Sequence, residues 1–122
     1  MSQITEEDYL DEILRTYAGP PDFKSKMALA ALGLAGETGE VIDQVKKHLF
    51  HGHEVDLAQM KDELGDVLWY FMLVCQACGF SLADIMSANV AKLRKRYPYS
   101  FEVVQSIHLP AAHPEREETD EK

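Results

Sequence analysis

Apolar residues recur every three or four positions along most of the chain and nowhere alternate with polar ones, so the periodicity confines the fold to helices. β-Branched residues are sparse, which removes the remaining support for strands. Thr5 can cap a first helix, with Asp8 three residues on in place of the capping-box Glu. Tyr9, Leu10, Ile13, Leu14 and Tyr17 supply its apolar side, and Gly19-Pro20-Pro21 ends it. A second helix is expected from Asp22 or Ser25 to about Phe50, with Met27, Ala31, Leu34, Ala35, Val41, Ile42, Val45 and Leu49 on its apolar face. Asp56 can cap a third that ends at Cys78, with Gly79 as its stop. Ser81 and Asp84 open a fourth, which halts before Tyr97-Pro98. Four helices joined by short loops predict an all-α, antiparallel four-helix core. Apolar side chains around residues 64–75 exceed what one small bundle covers, so assembly as a dimer or tetramer is expected.

The 122 residues suit one domain that buries a core without staples. That domain is expected over residues 1–101, with 102–122 as a mobile acidic tail. Twelve Lys and Arg against twenty-one Asp and Glu leave a net charge of −9, which argues against nucleic acid as a partner. No apolar run approaches the roughly 20 residues of a membrane span, so no membrane partner is expected. The polar, acidic start MSQITEEDYLDE does not read as a targeting segment. Two cysteines cannot build a disulfide scaffold. The expectation is a reduced, cytoplasmic protein.

The informative feature is a pair of acidic pairs. Glu37 and Glu40 sit on the second helix, Glu63 and Asp66 on the third. Each pair is three residues apart, hence on one helix face, and each lies inside an apolar run. In an antiparallel hairpin the pairs can face each other. Four inward carboxylates disfavour one another's ionisation unless a cation compensates. With only oxygen donors, the expected ion is hard: Mg2+, with Mn2+ as a substitute. Gly33, Gly36 and Gly39 each weaken the second helix by about 1 kcal/mol against Ala. Their spacing suggests close approach of a backbone or ligand along that side.

The segments LGLAGETGEV (32–41), DELGDVLWY (62–70) and NVAKLRKRYP (89–98) resemble the MazG-like nucleoside triphosphate pyrophosphohydrolases, members of the all-α NTP pyrophosphatases. The resemblance covers roughly residues 5 to 101. The family pattern ExxE, then ExxD, reads here as Glu37, Glu40, Glu63 and Asp66. It implies Mg2+-dependent hydrolysis of a nucleoside triphosphate to the monophosphate and pyrophosphate, in nucleotide-pool cleaning, with the four acids as metal ligands and catalytic residues. It also implies that Asn89, Lys92 and Arg96 complete the site. Their i, i+3, i+7 spacing independently puts them on one stripe, from which Lys92 and Arg96 can meet phosphate oxygens. Narrower activities in the same superfamily are a dUTP- or dCTP-specific diphosphatase and a phosphoribosyl-ATP pyrophosphohydrolase. A non-catalytic, metal-binding helical interaction module is the alternative of another class.

Other signals are weaker. Tyr70, four residues after Asp66, and Trp69 are candidates for stacking on a nucleobase, against the common role of aromatics as core. Lys47 stands in KKHLFHGH (46–53), a loop that either faces substrate or is simply solvated; no HExxH supports zinc. Cys75 and Cys78 form a CxxC at a helix C-terminal end, where the dipole works against thiolate formation, so they read as core.

Overall fold

The computed structural model describes residues 2–99. Among them the chain is all-helical, with no strand: α1 (Glu6–Thr16), α2 (Phe23–His51), α3 (Leu57–Cys78) and α4 (Leu82–Arg96). The helix ends follow local chemistry. The Thr5 hydroxyl accepts from the Asp8 amide at 3.1 Å while the Asp8 carboxylate accepts from the Thr5 amide at 2.9 Å, a complete capping box. Asp22, not Ser25, caps α2: its carboxylate accepts from the Ser25 amide at 2.9 Å. Asp56 does the same for α3 through the Gln59 amide at 3.0 Å. Gly52 (φ 68°) and Gly79 (φ 75°) end α2 and α3 in the left-handed conformation that side chains resist.

A short connection returns α3 along α2 as an antiparallel hairpin. Gly33 lies opposite Tyr70 near one end, and Gln44 shares a cleft with Gln59 near the other. Next to them, α1 packs on α3, where Trp69 Nε1 donates to the Thr16 hydroxyl at 3.0 Å; Glu6 of α1 also accepts from the amide of Leu82, beyond the end of α3. Ile13, Ala30, Met72, Leu73 and Cys75 are buried where the three helices meet. Tyr9, Tyr17, Leu29 and Trp69 are among the half-buried residues that pack around them. Lys26 stands 5.0 Å from the Tyr17 ring centroid and donates to Gln76.

The chain divides into two compact units after Leu82. In the second, α4 ends in Arg94, Lys95 and Arg96, cations that suit the negative end of a helix dipole. The Arg96 guanidinium lies 5.9 Å from the Tyr97 ring centroid. The expected tail at 102–122 lies outside the described residues. Among the described residues no single helix is long and apolar enough to cross a membrane.

Candidate functional site

The hairpin brings three of the four expected acids together. One carboxylate oxygen each from Glu37, Glu63 and Asp66 lie within 4.8 Å of one another, with Glu37 and Glu63 half-buried and Asp66 exposed. Glu40, one turn along α2, is exposed and outside that trio. It still acts on it: partial burial pushes the Glu63 carboxyl above its usual range, and the charges of Glu40, Glu37, Asp66 and Asp62 push it further. An all-oxygen cluster that resists its own ionisation is what a hard divalent cation relieves, so the donor set fits one.

The aromatic side of the site is tightly built. The Tyr70 ring lies directly on the backbone of Gly33, where a β-carbon would come within 2.1 Å of Tyr70 Cε1. Trp69 meets Tyr70 edge-on, ring centroids 4.9 Å apart. The expected close approach along the glycine series thus occurs at Gly33 alone, and its cause is a side chain. At Gly36, Gly39 and Gly65, the last beside Asp66, a β-carbon would meet nothing within 4 Å among the described residues.

Lys47 is exposed, and its ammonium binds the Asp43 carboxylate at 2.9 Å; Lys46 reaches the other oxygen of Asp43 at 3.1 Å. Asp43 first, and Glu40 after it, hold the Lys47 ammonium charged. Asn89 and Lys92 are exposed on α4, and Arg96 is half-buried at its end. The three fall on one stripe of that helix, as their spacing requires.

Two residues near the acids escape the sequence reading. Tyr9, counted only as an apolar position of α1, has its phenol raised by burial and then by the charge of Asp66. Gln44 lies on α2 one turn beyond Glu40 and has its side-chain Nε2 enclosed without a hydrogen-bond partner among the described residues. For Tyr9 no local signal exists, because the packing of α1 on α3 is tertiary. For Gln44 the signal is its place at i, i+3, i+7 from Glu37 through Glu40.

An all-α fold whose helix hairpin gathers carboxylates from ExxE and ExxD defines a class, the all-α NTP pyrophosphatases. Within it, the family model described as the MazG nucleotide pyrophosphohydrolase domain matches residues 26–101, and the chain belongs to that family. The chain is also similar to the Gene 37 protein of Mycobacterium phage L5, at 32% identity over 83 residues, which cover 65% of this chain and 73% of that protein. No solved structure matches.

Proposed function

We propose that the protein is a Mg2+-dependent nucleoside triphosphate pyrophosphohydrolase, releasing pyrophosphate and a nucleoside monophosphate and serving nucleotide-pool cleaning in the cytoplasm. The observation that carries this reading is the convergence of Glu37, Glu63 and Asp66 within 4.8 Å, from the two positions of the family's acidic pattern. In this reading the catalytic domain spans residues 1–101.

Glu37, Glu63 and Asp66 would hold Mg2+, with Mn2+ as a substitute. Bound there, the ion would offset triphosphate charge and make a coordinated water more acidic. Glu40, outside the trio, is the carboxylate left to orient the attacking water and accept its proton. Lys92 and Arg96 bind phosphate oxygens, Arg96 with its two-pronged guanidinium, and Asn89 donates to the same group. Tyr70, Trp69 and Lys47 complete the substrate-binding set.

The same reading includes self-association. Leu32, Ile42, Val45, Leu49, Leu64 and Leu68 on α2 and α3 are exposed in the single chain, and a second copy would cover them.

The test is pyrophosphate release from a panel of NTPs and dNTPs with and without Mg2+. Release should require the ion. It should collapse in Glu40→Gln and Asp66→Asn while far-UV circular dichroism stays helical. A folded wild type that is inactive on the whole panel refutes the proposal.

A further inference from the structure

The α2/α3 hairpin opens toward its loop into a cleft of about 540 Å3. That size lies within the range, roughly 300–1,000 Å3, that small-molecule sites occupy. Gln44 and Lys47 form one wall, Gln59 the other, and His53 and Val55 the loop end. None of the four acids lines this cleft, which lies farther along the same two helices. Gln44 is seven residues beyond Glu37, about 10 Å of helix rise, and Gln59 is four residues before Glu63, about 6 Å. This is the scale on which a nucleotide places its base relative to its phosphates.

The chemistry of the walls separates this cleft from a phosphate site. Lys47 is already engaged by Asp43 at 2.9 Å, a carboxylate it shares with Lys46. Glu54 and Asp56 add negative charge to the lining, and that repels a polyphosphate. The unmet demand is an uncharged one: Gln44 Nε2 is enclosed and has no acceptor among the described residues. Buried polar groups are nearly always paired. The last torsion of the side chain is soft, so the amide can turn toward a ligand in the cleft. Gln59, across the cleft, offers a second carboxamide. Carboxamides carry a donor and an acceptor side by side, which is the pattern needed to read the edge of a heterocyclic base.

We propose that this cleft seats the nucleobase of the substrate, with Gln44 reading its hydrogen-bonding edge. The proposal rests on the nucleotide pyrophosphohydrolase reading and adds where base selectivity resides: in the hairpin-end amides rather than in the Tyr70 ring held on Gly33.

The experiment compares kcat/KM for the four ribonucleoside triphosphates in wild type and in Gln44→Met, a change of similar volume that removes both polar atoms. Wild type should discriminate among the bases, and the variant should narrow the best-to-worst ratio by about tenfold, the scale of one hydrogen bond. That loss should appear in KM, with kcat at saturation little altered. If Gln44→Met does not fold by thermal melting, Gln59→Met, at an exposed position, carries the same comparison. A wild type without base preference, an unchanged ratio, or an equal loss for all four bases overturns the proposal. Should the wild type hydrolyse no nucleotide, the hydrolase reading fails and binding decides the cleft separately. UMP, CMP, AMP and GMP are then titrated into metal-free, 15N-labelled protein. A shift of the Gln44 side-chain amide signals sustains the base site, and no shift with any of the four overturns it.

Discussion

A β-carbon on Gly33 would lie 2.1 Å from Tyr70 Cε1, well inside van der Waals contact, so that glycine is required by its neighbour and not by its own backbone. A β-carbon on Gly39, two turns on, would meet nothing within 4 Å among the described residues. The same substitution therefore has opposite signs at the two sites. Gly33→Ala must displace the Tyr70 ring, an overpacking cost of about 1–3 kcal/mol that exceeds the helix-propensity gain of about 1 kcal/mol. Gly39→Ala keeps the gain alone and should stabilise by about 0.5–1 kcal/mol. Urea unfolding of the two variants beside wild type decides the matter; destabilisation at Gly39 would mean that its open side is occupied. Glu63 gives a pH-dependent prediction. Its carboxyl is raised above 4.5 in the folded protein, mainly by partial burial and then by Glu40 and Glu37. A raised acid stabilises the fold below its unfolded value, and that contribution is lost as pH rises through the raised value. In metal-free protein at pH 7, Glu63→Gln should therefore melt above wild type, and the gap should close toward pH 4. The lowered acids Asp8, Glu12, Asp22 and Asp43 act with the opposite sign, but they are present in both proteins and cancel. Mg2+ should raise the wild-type melting temperature more than the variant's. Melting curves that coincide at every pH contradict the account.

At the scale of the helix, ends were legible because local groups make them. Thr5 with Asp8, Asp56 and Gly79 each satisfy a terminal amide or carbonyl within a few residues of themselves. Gly79, at φ 75°, is the clearest case: Gly79→Ala should cost about 1–2 kcal/mol, read by chemical denaturation, because a β-carbon strains that conformation. A loss below a few tenths would show that the chain re-closes the helix another way. The acidic pairs were legible for the same reason, since i, i+3 spacing fixes a shared face. What the spacing does not fix is which member points across the hairpin. Residues three apart differ by about 60° around the axis; across that angle both Glu63 and Asp66 join the trio on α3, whereas on α2 only Glu37 does. Tyr9 near Asp66 and Tyr70 on Gly33 depend on how whole helices pack. A pattern of apolar positions specifies that a face is buried, but not the partner it meets.

For the molecule as a whole, the imbalance between core and surface carries the argument. Among the described residues, five are fully buried apolar ones, whereas Leu32, Ile42, Leu49 and Leu64 stand 51–76% exposed on the hairpin. Ile42, Val45 and Leu49 follow one another at i, i+3, i+7, a continuous stripe on α2. Isolated exposed apolar residues need no explanation, but a stripe on one helix, with Leu64 and Leu68 exposed on the helix paired to it, is the face that the self-association reading assigns to a second copy. If a second copy covers that face, sedimentation should give a mass at least twice the 13.8 kDa of one chain. Ile42→Lys separates the cases. In a lone chain, a lysine at a position 61% exposed changes stability by no more than about 0.5 kcal/mol. In an assembly it forces a charge into an apolar interface, which costs several times that much without a partner. The variant should therefore sediment at or near the single-chain mass, with its helical circular dichroism retained. A wild type that already sediments as one chain at micromolar concentration would show that the stripe is open to solvent, and the self-association reading would fall while the carboxylate cluster, formed within one hairpin, would stand.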